Sequence, residues 1–133
     1  MRENIPSMDQ WLRDAKNHPD GSKIGMIMTH NGVVRQTAKA QVRYGDRECG
    51  TITEMIVSYD QNFVDDAIRK TYEMDGIYYV RVWLNEGTLN VGEDIMYVMV
   101  GGDIRQRVFD ALQFLLSELK GKCISEQEIF SST

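Results

Sequence analysis

The start of the chain carries the pattern of a short amphipathic helix. Ser7 and Gln10 resemble a capping box, in which side chains satisfy the free backbone groups of a helix start. Apolar residues then give the segment one apolar side, at Trp11, Leu12 and Ala15. We predict a helix that ends near Asn17, because the His-Pro-Asp-Gly sequence of residues 18–21 breaks helices.

Two stretches that follow have the pattern of strands. Residues 25–43 read as strand material, with an interruption predicted near Asn31-Gly32. Residues 51–59 alternate with a period of two, which predicts a half-buried strand. One face would carry Met55, Val57 and Tyr59. The other face would carry Ile52, Glu54 and Ser58.

A second helix is predicted after Asp60, whose carboxylate can cap a helix start. Gly76 marks its end, since glycine reaches the left-handed conformation that stops many helices. Its apolar residues recur at helical spacing, at Phe63, Val64, Ala67, Ile68 and Tyr72. Residues 77–84 and 95–100 then predict two strands that lie centrally, with turns at residues 85–87 and 90–92.

The last helix is predicted to begin after Asp103, whose partner Gln106 would complete a second capping box. Gly121 would end this helix, and residues 123–130 would add an edge strand. The predicted buried residues of this last helix are Val108, Phe109, Ala111, Leu112, Leu115, Leu116 and Leu119.

This order of elements lacks a strict βαβ alternation. It predicts an α+β fold, with helices packed on a largely antiparallel sheet, and argues against a doubly wound parallel fold. With 133 residues and 42% apolar content, residues 1–133 are expected to form a single domain. No repeat or linker divides the chain.

The net charge and the cysteines argue against several classes of protein. A net charge of −5 argues against a general nucleic-acid or membrane-surface binder, and no apolar run is long enough to span a bilayer. Cys49 and Cys123 are expected to be buried free thiols of a cytoplasmic protein. His18 and His30 lack the spacing that zinc requires, so neither a metal nor a cofactor is expected.

Two arginines suggest an anion site, Arg35 after a Gly-Val-Val step and Arg105 just inside the last helix. A helix start disfavours arginine unless an anion is bound there, although on this feature alone a solvated arginine paired with a carboxylate is the better explanation of Arg105. Residues 101–103, Gly-Gly-Asp, are too short for a phosphate-binding loop. No nucleophile elbow supports a Ser-His-Asp site.

Several motifs together resemble a known family. They are Gly32-Val33-Val34-Arg35, Val80-Arg81-Val82-Trp83, the sequence of residues 86–95 and the helix of residues 105–120. Over residues 25–120 the chain is similar, in register, to the large, catalytic subunit of molybdopterin synthase. The resemblance implies an α/β-hammerhead fold, a homodimer and a role in molybdenum cofactor biosynthesis.

The implied reaction is a sulfur transfer between two partners. A ubiquitin-like small subunit, whose C-terminal Gly-Gly carries a thiocarboxylate, would deliver sulfur to cyclic pyranopterin monophosphate and form the dithiolene of molybdopterin. By this resemblance, Arg35 and Arg105 match substrate-binding arginines. Lys120 matches the first of two active-site lysines, although a lysine that ends a helix is also common for structural reasons.

The chain departs from the family pattern after Lys120. A Pro-x-Trp-Lys segment is usual there, whereas this chain has Ile-Ser-Glu-Gln-Glu at residues 124–128, so Gln127 replaces the second lysine. Lys122 is an unfavoured substitute, and Ile104 stands where histidine is frequent. Three hypotheses stay open: an active synthase subunit, a non-catalytic relative that binds an anionic pterin or a partner tail, and a structural dimer module.

Overall fold

The computed structural model describes residues 5–37 and 51–130. The helices are α1 (Met8–Asn17), α2 (Gln61–Tyr72) and α3 (Arg105–Glu118). The strands are β1 (Met26–Val33), β2 (Ile52–Tyr59), β3 (Ile77–Leu84), β4 (Gly87–Asn90), β5 (Asp94–Gly102) and β6 (Ile124–Phe130). They form two antiparallel sheets, ordered β1-β5-β3 and β4-β2-β6, which confirms the α+β prediction.

Helix α1 forms where its sequence predicted it. The Ser7 hydroxyl accepts a hydrogen bond from the backbone N–H of Gln10, so the cap is present. Trp11 and Ala15 are buried against Tyr79 and Met99 of the first sheet. Helix α1 therefore covers one face of that sheet.

The first sheet has helices on both faces. Opposite α1, side chains of β3 and β5 such as Val80, Val98 and Val100 join the main core with α2 and α3. Burial on both faces explains the nearly unbroken apolar run of β5, which is the central strand. The predicted central position of β3 was wrong. It lies at an edge, and its apolar composition reflects coverage by helices on both faces.

The second sheet contains a strand that the sequence pattern did not indicate. Strand β4 pairs with β2 where only turns were predicted, because four residues between two glycine-containing turns give too short an alternation to detect. Strand β6 lies at the opposite edge, as predicted. An irregularity in the β2–β6 pairing, between Ile52 and Glu54, brings Ile52 into the core instead of onto the face away from Met55.

Strand β1 runs through Asn31 and Gly32 without the predicted interruption. Both residues pair with β5, opposite Tyr97 and Met96, and the register shifts only between Gly32 and Val33. Glycine suits this position because a side chain would press on Met96. Residues 38–43 of the predicted stretch, like Cys49, lie outside the described residues.

Helices α2 and α3 begin differently. The Asp60 carboxylate accepts hydrogen bonds from two backbone N–H groups of α2, as predicted. The capping box predicted for α3 was wrong. Asp103 instead accepts from the backbone N–H of Ile104 and from the side chain of Arg107, both at 2.7 Å.

Two aromatic residues predicted to be core are half exposed, Phe63 at 52% and Phe109 at 45%. In α3 the fully buried stripe follows positions 108, 111, 112 and 115, which places Phe109 at its border. Gly76 adopts a φ of 76° and ends the turn after α2, as predicted. Among the described helices, none has the length and apolar content to cross a membrane.

Candidate functional site

A polar pocket of about 430 Å³ opens between the two sheets. Strands β1 and β5 contribute to it from the first sheet, and β2 and β6 from the second. Its lining residues are His30, Gly32, Val33, Arg35, Met55, Ile95, Met96, Lys120, Glu126 and Glu128. Five of these ten residues have ionisable side chains.

Arg35 reaches this pocket because the chain leaves the first sheet beside it. The preceding Val34 is buried, and its backbone is bonded to residues 92 and 93 of the turn before β5. The following Gln36 accepts a hydrogen bond from the backbone N–H of Ile52 in the second sheet. The guanidinium donates to the backbone oxygen of Thr37 at 2.9 Å through its Nε, and no other group within residues 5–37 and 51–130 engages its two terminal nitrogens.

Lys120 enters the pocket from a π-helical turn, Leu119–Cys123, that follows α3. Leu119 and Cys123 are buried at its two ends, and Cys123 accepts a hydrogen bond from the backbone N–H of Asp60. Within residues 5–37 and 51–130, no hydrogen bond or ion pair engages the Lys120 ammonium. The turn therefore has a fixed backbone and an exposed, available cation, a combination that π-helical turns often provide at functional sites.

His30 is a pocket residue that the sequence did not reveal. It is half-buried on β1, on the same face as Gly32. Burial, and then the positive charge of Lys120, lower the pKa of His30, so the imidazole stays neutral near pH 7. An unbroken strand would have predicted this shared face from its period of two, but the expected interruption at Asn31-Gly32 hid it.

Two carboxylates line the pocket from β6. Glu126 and Glu128 lie on the pocket face of β6, opposite Val57 and Met55 of β2, whereas Gln127 between them is exposed on the other face. The position predicted to replace the second lysine thus points away from the pocket. Its two acidic neighbours line the cavity instead.

Arg105 does not line this pocket. It is exposed at the first position of α3, and Lys120 follows the last turn of that helix, so a rise of about 1.5 Å per residue separates them by roughly 20 Å. In the described part of the chain, Arg105 has no hydrogen bond or ion pair. Of the three predicted cations, the structure brings together Arg35 and Lys120.

Other reactive side chains near the site are occupied. Lys122 forms an ion pair with Glu118 at 3.2 Å and is not a lining residue. Burial, reinforced by Glu118, raises the pKa of the Cys123 thiol, so it is a poor nucleophile. Over residues 5–37 and 51–130, no group of His, Cys, Asp and Glu has a geometry that would hold a metal ion.

A second cavity, of about 750 Å³, follows the exposed side of α3. Its lining is Gln106, Phe109, Asp110, Leu112, Gln113, Leu116, Ser117 and Lys120. Lys120 is common to both cavities, so one ammonium lies where an elongated apolar groove meets the polar pocket.

Known proteins match the chain over most of its length. Residues 3–122 match the family described as MoaE protein. An uncharacterised protein of Methanocaldococcus jannaschii is 27% identical over 118 residues, which cover 89% of this chain and 92% of that protein.

Solved structures share the fold at low sequence identity. Molybdopterin synthase from Staphylococcus aureus superposes with a TM-score of 0.75 at 13% identity, covering 98% of this chain and 89% of that one. A chain from the complex of subunits 1 and 2 of molybdopterin-converting factor from Helicobacter pylori gives a TM-score of 0.66 at 10% identity, covering 96% and 82%.

Proposed function

We propose, from the premise that this chain belongs to the MoaE protein family, that it is the large subunit of a molybdopterin synthase in molybdenum cofactor biosynthesis. Its reaction is the transfer of sulfur from the thiocarboxylate of a small subunit to cyclic pyranopterin monophosphate, which forms the dithiolene. The chain-specific observation that carries the proposal is the convergence of Arg35 and Lys120 on one pocket.

The two cations have separate tasks in this reaction. Arg35 offers two terminal nitrogens, which suit bidentate binding of a phosphate. Lys120 lies between the pocket and the α3 groove, where its ammonium can stabilise negative charge that develops at an acyl-sulfur centre. His30, kept neutral by burial and by Lys120, is available to accept a proton beside them.

The partner is a small ubiquitin-like subunit whose C-terminal Gly-Gly tail enters along the α3 groove. This groove ends at Lys120, so an extended tail lying in it would bring its terminal carbonyl to the ammonium. The Helicobacter pylori relative is a complex of two subunits, which supports the same assembly here. The proposed location of this complex is the cytoplasm.

A homodimer gives Arg105 a place in the mechanism. Because roughly 20 Å of helix separates Arg105 from Lys120 in one chain, the two side chains cannot hold one phosphate together. Arg105 can contribute to substrate binding only by approaching the pocket of a second subunit. The exposed Ile104 beside it, at 55%, provides apolar surface for such a contact.

A non-catalytic relative is the second candidate, because the pocket wall is acidic where a second lysine was expected. Glu126 and Glu128 line the cavity, Gln127 faces away and Lys122 is paired with Glu118. A pocket with a single lysine can bind an anionic pterin without completing both sulfur transfers. In that case ligand binding and turnover are separable.

A single-turnover assay tests the two candidates. The chain is mixed with a small subunit that carries a thiocarboxylate and with cyclic pyranopterin monophosphate, and the dithiolene product is measured. We expect product from the wild-type protein and a loss of roughly 10²- to 10³-fold in rate for Lys120→Ala, since one charge-stabilising group is removed.

Lys16→Ala is the matched control, because Lys16 is an exposed lysine of α1 outside both cavities. Its rate should equal that of the wild type. Substrate binding without any product in the wild-type protein would instead support the non-catalytic candidate. Neither binding nor product would reject both.

A further inference from the structure

The pocket carries charges of both signs. Arg35 and Lys120 are cations, and Glu126 and Glu128 of β6 are carboxylates. A site that only holds phosphate gains nothing from carboxylates, because they repel an anion in the same cavity. Glu126 therefore needs a reason other than phosphate binding.

Glu126 is fixed in place and available. Its backbone pairs with Val57 of β2, and its half-buried side chain faces the cavity. Within residues 5–37 and 51–130, no hydrogen bond or ion pair engages its carboxylate, and neither Arg35 nor Lys120 is bonded to it. The carboxylate is thus not used to neutralise the cations of its own pocket.

A carboxylate that is held on a cavity wall is suited to a ligand with two parallel N–H donors. The edge of a 2-amino-4-oxopyrimidine ring has this arrangement, with a ring N–H beside an exocyclic amino group. Two such donors bind both oxygens of a carboxylate, as an arginine fork does. At about 430 Å³ the cavity lies within the range of small-molecule sites.

We propose that Glu126 accepts hydrogen bonds from the donor edge of a 2-amino-4-oxopyrimidine ring, while Arg35 and Lys120 bind a phosphate of the same molecule. The pocket then recognises both the ring and the phosphate of its ligand. The inference rests on the proposed function only for the choice of a pterin as that ligand, since the binding chemistry belongs to the pocket itself.

Three cyclic nucleotides distinguish recognition of the ring from binding of the phosphate. Guanosine 3′,5′-cyclic monophosphate has the complete donor edge, the inosine analogue lacks the amino group, and the adenosine analogue presents an acceptor instead of the ring N–H. All three carry the same phosphate. Titration calorimetry on the full chain should show affinity falling from guanosine to inosine to adenosine, by about tenfold or more overall.

The substitution Glu126→Gln should then change two affinities in opposite directions. The guanosine nucleotide should bind about tenfold more weakly, because a charged double acceptor is lost. The adenosine nucleotide should bind equally well or more tightly, because a negative charge near its phosphate is removed. Glu126→Asp keeps the carboxylate and should retain the guanosine preference.

Glu86→Gln is the control, since Glu86 is exposed after β3 and outside the pocket lining. It should change none of the affinities, and thermal denaturation should show that every variant is folded. The inference is overturned if the wild-type protein binds the three nucleotides equally or not at all. It is also overturned if Glu126→Gln tightens all three to the same extent.

The proposed function can fail or survive independently of this result. Sulfur transfer with a KM for cyclic pyranopterin monophosphate that Glu126→Gln leaves unchanged would keep the synthase and reject Glu126 as a recognition residue. A guanosine preference that depends on Glu126 in a protein that forms no dithiolene would keep Glu126 as a recognition residue and reject the synthase function.

Discussion

Two arginines of this protein occupy contrasting surroundings. Arg81 of β3 donates to the Asp14 carboxylate at 2.8 Å and to the Tyr79 hydroxyl at 3.3 Å, and its guanidinium lies 4.6 Å from the centre of the Trp11 ring. Among the residues that the structure describes, Arg35 donates only to a backbone oxygen, and it faces an open pocket. Arg81 thus connects α1 to the first sheet, whereas the neighbours of Arg35 position its side chain at the pocket.

The difference shows how an arginine that remains available to a ligand can be distinguished from one that supports the fold. The hydrogen bond from Arg81 lowers the pKa of Asp14, so the charges of both partners serve the fold. Around the pocket, buried Val34 and Leu119 fix the backbone, and the adjacent Arg35 and Lys120 side chains make no ion pair within residues 5–37 and 51–130. Stability and binding are thus assigned to adjacent residues.

Leu119 and Lys120 provide the largest expected contrast. Leu119 is fully buried, so Leu119→Ala should lower the free energy of unfolding by roughly 2–5 kcal/mol through lost burial and a new cavity. Lys120→Ala should change it by no more than about 0.5 kcal/mol, as for other exposed positions. Urea denaturation measures both. Equal losses would mean that Lys120 is part of the structural framework.

A smaller effect is expected at the two arginines. Arg81→Met should reduce stability, with about 0.5–1 kcal/mol from the lost contact with Trp11 alone, and should leave ligand binding unchanged. Arg35→Met should do the reverse, weakening the cyclic nucleotides about tenfold at unchanged stability. Denaturation and calorimetry on the same pair give both results. Loss of binding in Arg81→Met with intact binding in Arg35→Met would contradict the assignment.

The smallest effect concerns pH. Because the pKa of His30 is lowered in the folded state, the unfolded chain binds more protons at acidic pH, and stability should fall as the pH drops below about 6.5. The charges that line the pocket with His30 are the cations Arg35 and Lys120 and the carboxylates Glu126 and Glu128. His30→Phe should lose less stability than the wild type between pH 7 and about 5.5.

Lys120→Ala gives a direct measurement of the same coupling. Removing the nearby positive charge should raise the pKa of His30, as followed by NMR titration of the imidazole. An unchanged or lower pKa in this variant would show that burial alone sets the value. It would also place Lys120 too far from His30 to share a proton with it.

The sequence predicted elements well where local chemistry decides them. Ser7 and Asp60 cap their helices as expected, and the period of two identified β2. The prediction failed at α3 because Asp103 has competing local partners, the backbone N–H of Ile104 and the side chain of Arg107. It failed at β4 because that strand depends on a tertiary contact, its pairing with β2.

The site was only partly accessible from sequence. Arg35 was singled out as a candidate anion ligand and Lys120 through family resemblance, and their common pocket depends on the sheet-to-sheet crossing at residues 34–36, which no local pattern encodes. His30 and Glu126 lacked any signal beyond strand alternation. Arg105 carried a local signal at a helix start, and it lies outside the pocket of its own chain.

The crossing at residues 34–36 gives the pocket a second property. Because one wall belongs to each sheet, a molecule that contacts Arg35 and Glu126 at once acts as a cross-link between them. Occupancy should therefore be visible as a rise in melting temperature that grows with ligand concentration. A simple thermal shift screen would then rank small molecules by how strongly they stabilise the contact between the two sheets.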